Sequence, residues 1–229
     1  MMERYLDPSL TPDERAEDLA DRLTVEEQAS QLRYDALPIP RLGIPAYNWW
    51  NEGLHGVARA GTATMFPQAI GMAATFDTAL LHQIGEITAT EARAKHMAAR
   101  EHGDFDIYKG LTLWAPNINL FRDPRWGRGH ETYGEDPFLT ARLGVAFVKG
   151  MQGEGKVLKA AACAKHFAVH SGPEALRHSF DAQVSPKDLE ESYLPAFHAL
   201  VTEAKVEGVM GAYNRVNGEP SCASPMLMD

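Results

Sequence analysis

The chain has 229 residues, 45% of them hydrophobic and 23% charged, enough apolar matter for a sizeable core and too little charge for a disordered chain. Its 31 acidic residues outnumber 22 Lys and Arg, a formal charge of −9 with no basic run, which argues against nucleic acid as a partner. No stretch approaches about 18 consecutive apolar residues, so no membrane partner is expected.

The start, MMERYLDPSLTPDERAEDL, carries charges where a secretory signal needs an apolar core. The expected location is cytoplasmic as written, or periplasmic or secreted if a signal has been removed. Thr11, Pro12 and Glu14 supply a cap, a proline at the first helical position and a carboxylate at the third, and Thr24 with Glu27 repeats the box. Residues 1–40 therefore read as a helical lead-in, with Leu19 and Leu23 on one face. The apolar IPAYNWW then opens into the polar loop NEGLHGVARAG, as a strand opens into a loop. Asp77 caps a helix that runs to about Glu101, with Leu80, Leu81, Ile84 and Ile87 at helical spacing.

LTLWAPNINL reads as a strand, Pro137 to Gln152 as a helix and LKAAACA as a strand. A long loop follows, then a helix capped at Ser185 with Pro186 first and bent at Pro195, then the strand EGVMGAY. Strands alternating with helices of this length imply βαβ units and a parallel sheet. Polar residues follow each strand: Glu52 and His55, Asn117 and Arg128, Lys165 and His166, Tyr213 and Asn214. Strand ends that meet at one mouth are the mark of a β/α barrel, and no phosphate-cradling glycine motif follows any strand. Cys163 lies in an apolar run, where a buried free thiol is expected, and with Cys222 the only other cysteine no disulfide framework is expected.

Residues 120–139, LFRDPRWGRGHETYGEDPFL, gather arginines, carboxylates and aromatic rings in one loop. An Arg–carboxylate network is the reading for Arg122, Arg125 and Glu131, and a direct ligand contact for Arg128, which follows the small Gly127. Lys165 and His166 end an apolar strand, where a lysine needs acceptors; sugar hydroxyls and a carboxylate would supply them, with His166 as a hydrogen-bond donor to substrate. In WWNEGLHG a tryptophan offers an apolar face for a pyranose, while Glu52 takes hydroxyl protons; His55 reads as a buried structural residue.

NEGLHG, FPQAIGMAATFD, APNINLFRDPRWGRGHETYGEDP, CAKHF, RHSFDAQVSPKDLEESYLPAF and VMGAYNRVNGEPSC together resemble glycoside hydrolase family 3, from about Leu19 to the last residue. The Glu of NEGLHG, RHSF and GAYNRVNG are most similar to its β-xylosidases, with β-glucosidases as neighbours. The resemblance implies an N-terminal β/α barrel bearing an aspartate nucleophile, a C-terminal α/β sandwich domain supplying the acid/base, and no cofactor. It also implies that Glu52 accepts sugar hydroxyl protons, that Trp50 walls that subsite, that Arg128, Lys165, His166 and Arg177 grip the remaining hydroxyls, and that Tyr213 lies beside the nucleophile. Where many members have Asp, this chain has Glu52, whose longer arm would crowd a hydroxymethyl group and favour a pentose.

The family's Ser-Asp nucleophile motif does not occur before the end at SPMLMD, and Asp229, which leads into the next helix, is not that residue. The expected fold is an α/β, TIM-type (β/α)8 barrel, incomplete at about five of eight units, with an open sheet edge. The expected activity is retaining exo-hydrolysis of terminal β-D-xylosyl or β-D-glucosyl residues in the intact protein, with a β-linked oligosaccharide or aryl glycoside as partner and the fragment alone inactive. An inactive sugar-binding module is the alternative. A metal-dependent barrel hydrolase using His166 and His170 is a third, weaker reading.

Overall fold

A computed structural model describes residues 3–228. Both expected capping boxes are made: Thr11 Oγ1 accepts from Glu14 N at 3.3 Å at the start of α1 (Pro12–Arg22), and Thr24 Oγ1 accepts from Glu27 N at 3.2 Å at the start of α2 (Val25–Gln31). Neither helix contributes a fully buried residue, so this lead-in lies on the surface. A short antiparallel pair follows, β1 (Asp35–Ala36) with β2 (Tyr47–Asn48). After the short helix α3 (Ala69–Ala73), Asp77 caps the long α4 (Thr78–Glu101) through Oδ1, which accepts from Leu80 N at 3.0 Å.

The centre is a parallel sheet of β3 (Thr112–Leu113), β4 (Ala161–Phe167) and β6 (Gly208–Gly211), in the order β3-β4-β6. Helix α5 (Pro137–Gln152) connects β3 to β4. The second connection holds the small strand β5 (Asp181–Ala182), α6 (Pro186–Asp188) and α7 (Pro195–Thr202). These are β/α units of a TIM-type barrel. Three strands form the parallel sheet among the described residues; β2, expected as another, pairs antiparallel with β1. Past Gly211 the chain forms β7 (Arg215–Val216), β8 (Glu219–Pro220) and the short α8 (Pro225–Met228); β7 pairs with both β5 and β8.

The expected strand LTLWAPNINL is paired regularly over two residues only, because Pro116 lacks an N–H and the Trp114 amide turns to Asn51 O on the other side (2.8 Å). The segment still follows β4: Cys163 N donates to Ala115 O, Lys165 N to Pro116 O, and Ile118 N to Lys165 O. The helix begun at Ser185 opens at Leu189–Tyr193 into a wider turn, with Leu194 N donating to Leu189 O at 2.9 Å, and α7 restarts at Pro195. Pro195 cannot donate and its ring clashes with the preceding turn.

The main core fills the space between sheet and helices with Leu81, Ile84, Leu113, Ile118, Leu143, Phe147, Met151 and Leu200. Helices α4 and α5 approach backbone to backbone: a Cβ on Gly85 would stand 2.3 Å from Phe147 O, and one on Gly150 2.0 Å from His82 O. Glycine is required at both. Cys163 and Cys222 are free, and burial pushes the Cys163 thiol up to about 11. No helix among the described residues is long and apolar enough to cross a membrane.

Candidate functional site

The site forms where the parallel strands end. Lys165 and His166 lie near the end of β4, Asn117 and Asn119 follow β3, and Tyr213 and Asn214 follow β6. Glu52 reaches in from the loop after β2, and Arg128 with Glu131 from the loop between β3 and α5. The peptide bonds Ala115–Pro116, Lys165–His166 and Phe167–Ala168 are cis.

Lys165 is 2% exposed. Its Nζ donates to Glu52 Oε2 at 3.3 Å, the one hydrogen bond described for that ammonium. Burial lowers its pKa; Glu52 opposes that shift, and Arg128 reinforces it. Glu52 is the more open partner, with 28% of its side chain exposed. Arg128 donates from Nε to Glu131 Oε1 at 2.7 Å and from Nη2 to Glu131 Oε2 at 2.5 Å, a bidentate fork. Burial weighs against the Arg128 charge, but Glu131 outweighs it and the guanidinium is held above its ordinary value. Burial likewise raises Glu131, but Arg128 and Lys165 bring its carboxyl below 4.5. Asn117 Nδ2 stands 3.5 Å from Glu131 Oε2.

His166 is 3% exposed. Its backbone amide donates to Asn119 Oδ1, its carbonyl accepts from Asn119 Nδ2, Nδ1 lies 3.1 Å from Asn119 Oδ1, and Nε2 lies 3.0 Å from Arg128 Nη1. Burial, then Arg128 and Lys165, push its pKa well below 6.5. The expectation of His166 as a donor meets a different geometry: Nε2 faces a guanidinium, which can only donate, so that nitrogen accepts.

Four of the seven expected residues are thus joined directly: Glu52 to Lys165, and Arg128 to His166. Trp50, 38% exposed, rests on Trp114 with ring centroids 5.2 Å apart and tilted by 30°. Tyr34 meets the Trp50 ring nearly edge-on, with centroids 5.7 Å apart. Tyr213 and Arg177 stand farther along. Tyr213 packs against His178 and, at 6.4 Å, against His170, whose ring is 4.8 Å from His166. Arg177 pairs with Glu174 at 2.7 Å, a protein partner where a substrate hydroxyl was expected. The Glu174 carboxylate also explains Gly127, since a Cβ there would come within 2.9 Å of it.

The Arg–carboxylate network expected of the 120–139 loop is made by Arg125 with Asp123 and by Glu131 with Arg128. Arg122 departs from it. Asp123 is taken by Arg125, and Arg122 lies instead over the Tyr193 ring at 4.9 Å, a cation–π contact. His55 is half-buried, with Nδ1 2.9 Å from Phe66 O. His170 turns Nδ1 to Asn214 Oδ1, and no group of three His, Cys, Asp or Glu side chains able to hold a metal comes together among the described residues. Asp229 lies outside the described residues.

Sequence reasoning missed Asn119 and Trp114, and named Asn214 only as a polar residue after a strand. The N-I-N spacing at 117–119, two amides on one face of an extended segment, was the available signal for the first.

The model of the glycosyl hydrolase family 3 N-terminal domain matches residues 14–229. A xylan 1,4-β-xylosidase of Xylanibacter ruminicola is 49% identical over 229 residues, covering 98% of this chain and 27% of that protein. A solved GH3 exo-β-xylosidase in complex with a xylobiose aziridine probe superposes with a TM-score of 0.91 at 38% identity, covering all of this chain and 30% of that one. A β-glucosidase of Erythrobacter marinus gives 0.82 at 29% identity, covering 99% and 35%. The chain thus spans about a third or less of the length of these relatives.

Proposed function

Since the chain belongs to glycosyl hydrolase family 3, we propose that it forms the sugar-gripping part of a longer, retaining, exo-acting β-glycosidase that removes terminal β-D-xylosyl or β-D-glucosyl residues, xylosyl in preference. The observation that carries this is the buried Lys165 ammonium set against Glu52 beside the Arg128–Glu131 fork. A pyranose presents hydroxyls that both donate and accept, and fixed charges of both signs in a partly dry cleft bind such groups strongly. Trp50 supplies the apolar wall for the C–H face of the ring.

Glu52, Lys165, Arg128 and His166 grip the hydroxyls of one sugar, and Trp50 stacks on it. Arg177 and Tyr213 border the same subsite. The length of the Glu52 arm, braced by Lys165 at 3.3 Å, crowds the position of a hydroxymethyl group and favours the pentose.

Retaining hydrolysis needs two carboxyl groups about 5–5.5 Å apart, one free to attack. Glu52 and Glu131 are each bound to a cation, so we assign neither role to this chain; nucleophile and acid/base belong to the longer protein, as do the remaining β/α units and an α/β sandwich domain. The exposed edge at Val209, 45% open, and the apolar groove of about 1040 Å³ bordered by Phe138, Leu194, Phe197 and Val201 support further packing there.

Calorimetric titration of the chain with xylose, against Glu52→Ala, tests the reading. Saturable binding lost in the variant supports it; no binding, or equal binding by both proteins, overturns it.

A further inference from the structure

The direction of the hydrogen bond at His166 follows from groups whose chemistry leaves no choice. The His166 backbone amide can only donate, and it donates to Asn119 Oδ1 at 2.8 Å; the His166 carbonyl can only accept, and it accepts from Asn119 Nδ2 at 2.8 Å. These two bonds fix which end of the Asn119 amide is oxygen. That oxygen is an acceptor, and it lies 3.1 Å from His166 Nδ1. Nδ1 therefore bears hydrogen. On the other side of the ring, Arg128 Nη1 is a donor without acceptor capacity and lies 3.0 Å from Nε2. Nε2 therefore offers a lone pair. Two partners on opposite sides of the ring, both from the connection between β3 and α5, demand the same neutral tautomer.

We propose that Asn119 is a positioning residue that locks His166 as the Nδ1–H imidazole, so that His166 meets a sugar hydroxyl as an acceptor through Nε2 and the hydroxyl donates. The proposal rests on the reading of this site as a sugar subsite and sharpens it. A hydroxyl that donates to Nε2 takes the single lone pair that Arg128 Nη1 now occupies at 3.0 Å; the displaced Nη1, or Lys165, then donates to the hydroxyl oxygen, so one group satisfies partners of both kinds. The alternatives fit worse. An Nε2–H tautomer would point a proton at the guanidinium and leave Nδ1 and Asn119 Oδ1, two acceptors, facing each other. An imidazolium would add a positive charge to a ring already faced by Arg128 and Lys165, with Arg177 and His170 beyond.

The test is a long-range 1H–15N correlation spectrum of the full chain labelled at histidine, with His166 assigned by His166→Gln. The wild type and Arg128→Met are expected to show the Nδ1–H pattern at neutral pH, and Asn119→Leu to lose it. A wild-type His166 with the Nε2–H or imidazolium pattern overturns the proposal, and so does an Asn119→Leu chain that folds by circular dichroism and keeps Nδ1–H. Should Asn119→Leu not fold, the other two spectra still decide, because loss of the pattern in Arg128→Met would move the lock from Asn119 to Arg128. Xylose added to the wild-type sample separates this inference from the reading beneath it. Binding to a chain without the Nδ1–H pattern overturns the inference alone; the Nδ1–H pattern with no xylose-induced shift overturns the sugar reading alone.

Discussion

Replacing Glu52 and Lys165 one at a time should have unequal effects on stability. Lys165 has 2% of its side chain exposed and Glu52 28%. In Glu52→Gln the ammonium stays buried and loses its hydrogen-bonded countercharge, while Arg128 still opposes it and both Glu131 oxygens remain committed to Arg128. Stranding one member of a sealed pair costs about 3–5 kcal/mol; water reaching the open Glu52 side reduces this to about 2–3 kcal/mol. In Lys165→Met the buried charge itself is gone, a group of similar length fills the space, and Glu52 turns to solvent, so the cost is below about 1 kcal/mol. For a chain of 229 residues each kcal/mol shifts Tm by about 2–4 °C. Glu52→Gln should therefore lose about 4–12 °C and Lys165→Met less than about 4 °C. The double variant should regain most of the Glu52→Gln loss. Urea and thermal unfolding followed by tryptophan fluorescence measure all three. Lys165→Met as costly as Glu52→Gln, or a double variant that simply adds the two losses, would refute the reasoning.

Gly150→Val should lower stability by about 1–3 kcal/mol or more, since its Cβ meets His82 O at 2.0 Å, whereas Gly71→Ala, with its nearest neighbour at 3.6 Å, should stay within about 0.5 kcal/mol in the same urea midpoints. Burial lowers the pKa of both His166 and His170 from 6.5, so the unfolded chain binds protons that the folded chain does not. Their contribution is complete above pH 6.5 and declines below it, by up to about 1.4 kcal/mol per pH unit for each histidine. Urea midpoints between pH 7.5 and 5 should show this slope and His166→Gln should reduce it; a flat profile contradicts the burial argument. Glu131→Gln removes the charge that aims Arg128 and should weaken xylose binding about tenfold by calorimetry; unchanged affinity would show that Arg128 needs no such support. The chain alone should not turn over p-nitrophenyl β-xyloside, and turnover abolished by Lys165→Met would falsify the assignment of the chemistry to the longer protein.

What was legible in the sequence was what local chemistry decides. The Thr11 and Thr24 boxes and the Asp77 cap need only three or four neighbouring residues, and all three are made as spacing predicted. The β/α alternation was equally readable, because α4 and α5 carry their apolar faces at helical spacing. Pairing partners were not. Whether IPAYNWW joins the central sheet depends on residues 35–36 lying beside it, and β4 runs three residues past its expected end because Ala115, Pro116 and residue 118 continue alongside it. In the site, the motifs named Glu52, Arg128, Lys165 and His166, but His166 read as a donor where its Nε2 accepts from Arg128. That direction depends on Asn119, which is 47 residues from His166, and Arg122 looked like an ion-pair residue until the Tyr193 ring came to lie beneath it.

The claim that Glu52, braced by Lys165, selects and holds a pentose is tested most directly by titrating xylose and glucose into wild type and Glu52→Asp. The wild type should bind xylose at least about tenfold more tightly than glucose, and the shorter carboxylate arm should narrow that ratio by admitting the hydroxymethyl group. Equal affinity for the two sugars in the wild type, or a ratio left unchanged by Glu52→Asp, would contradict it.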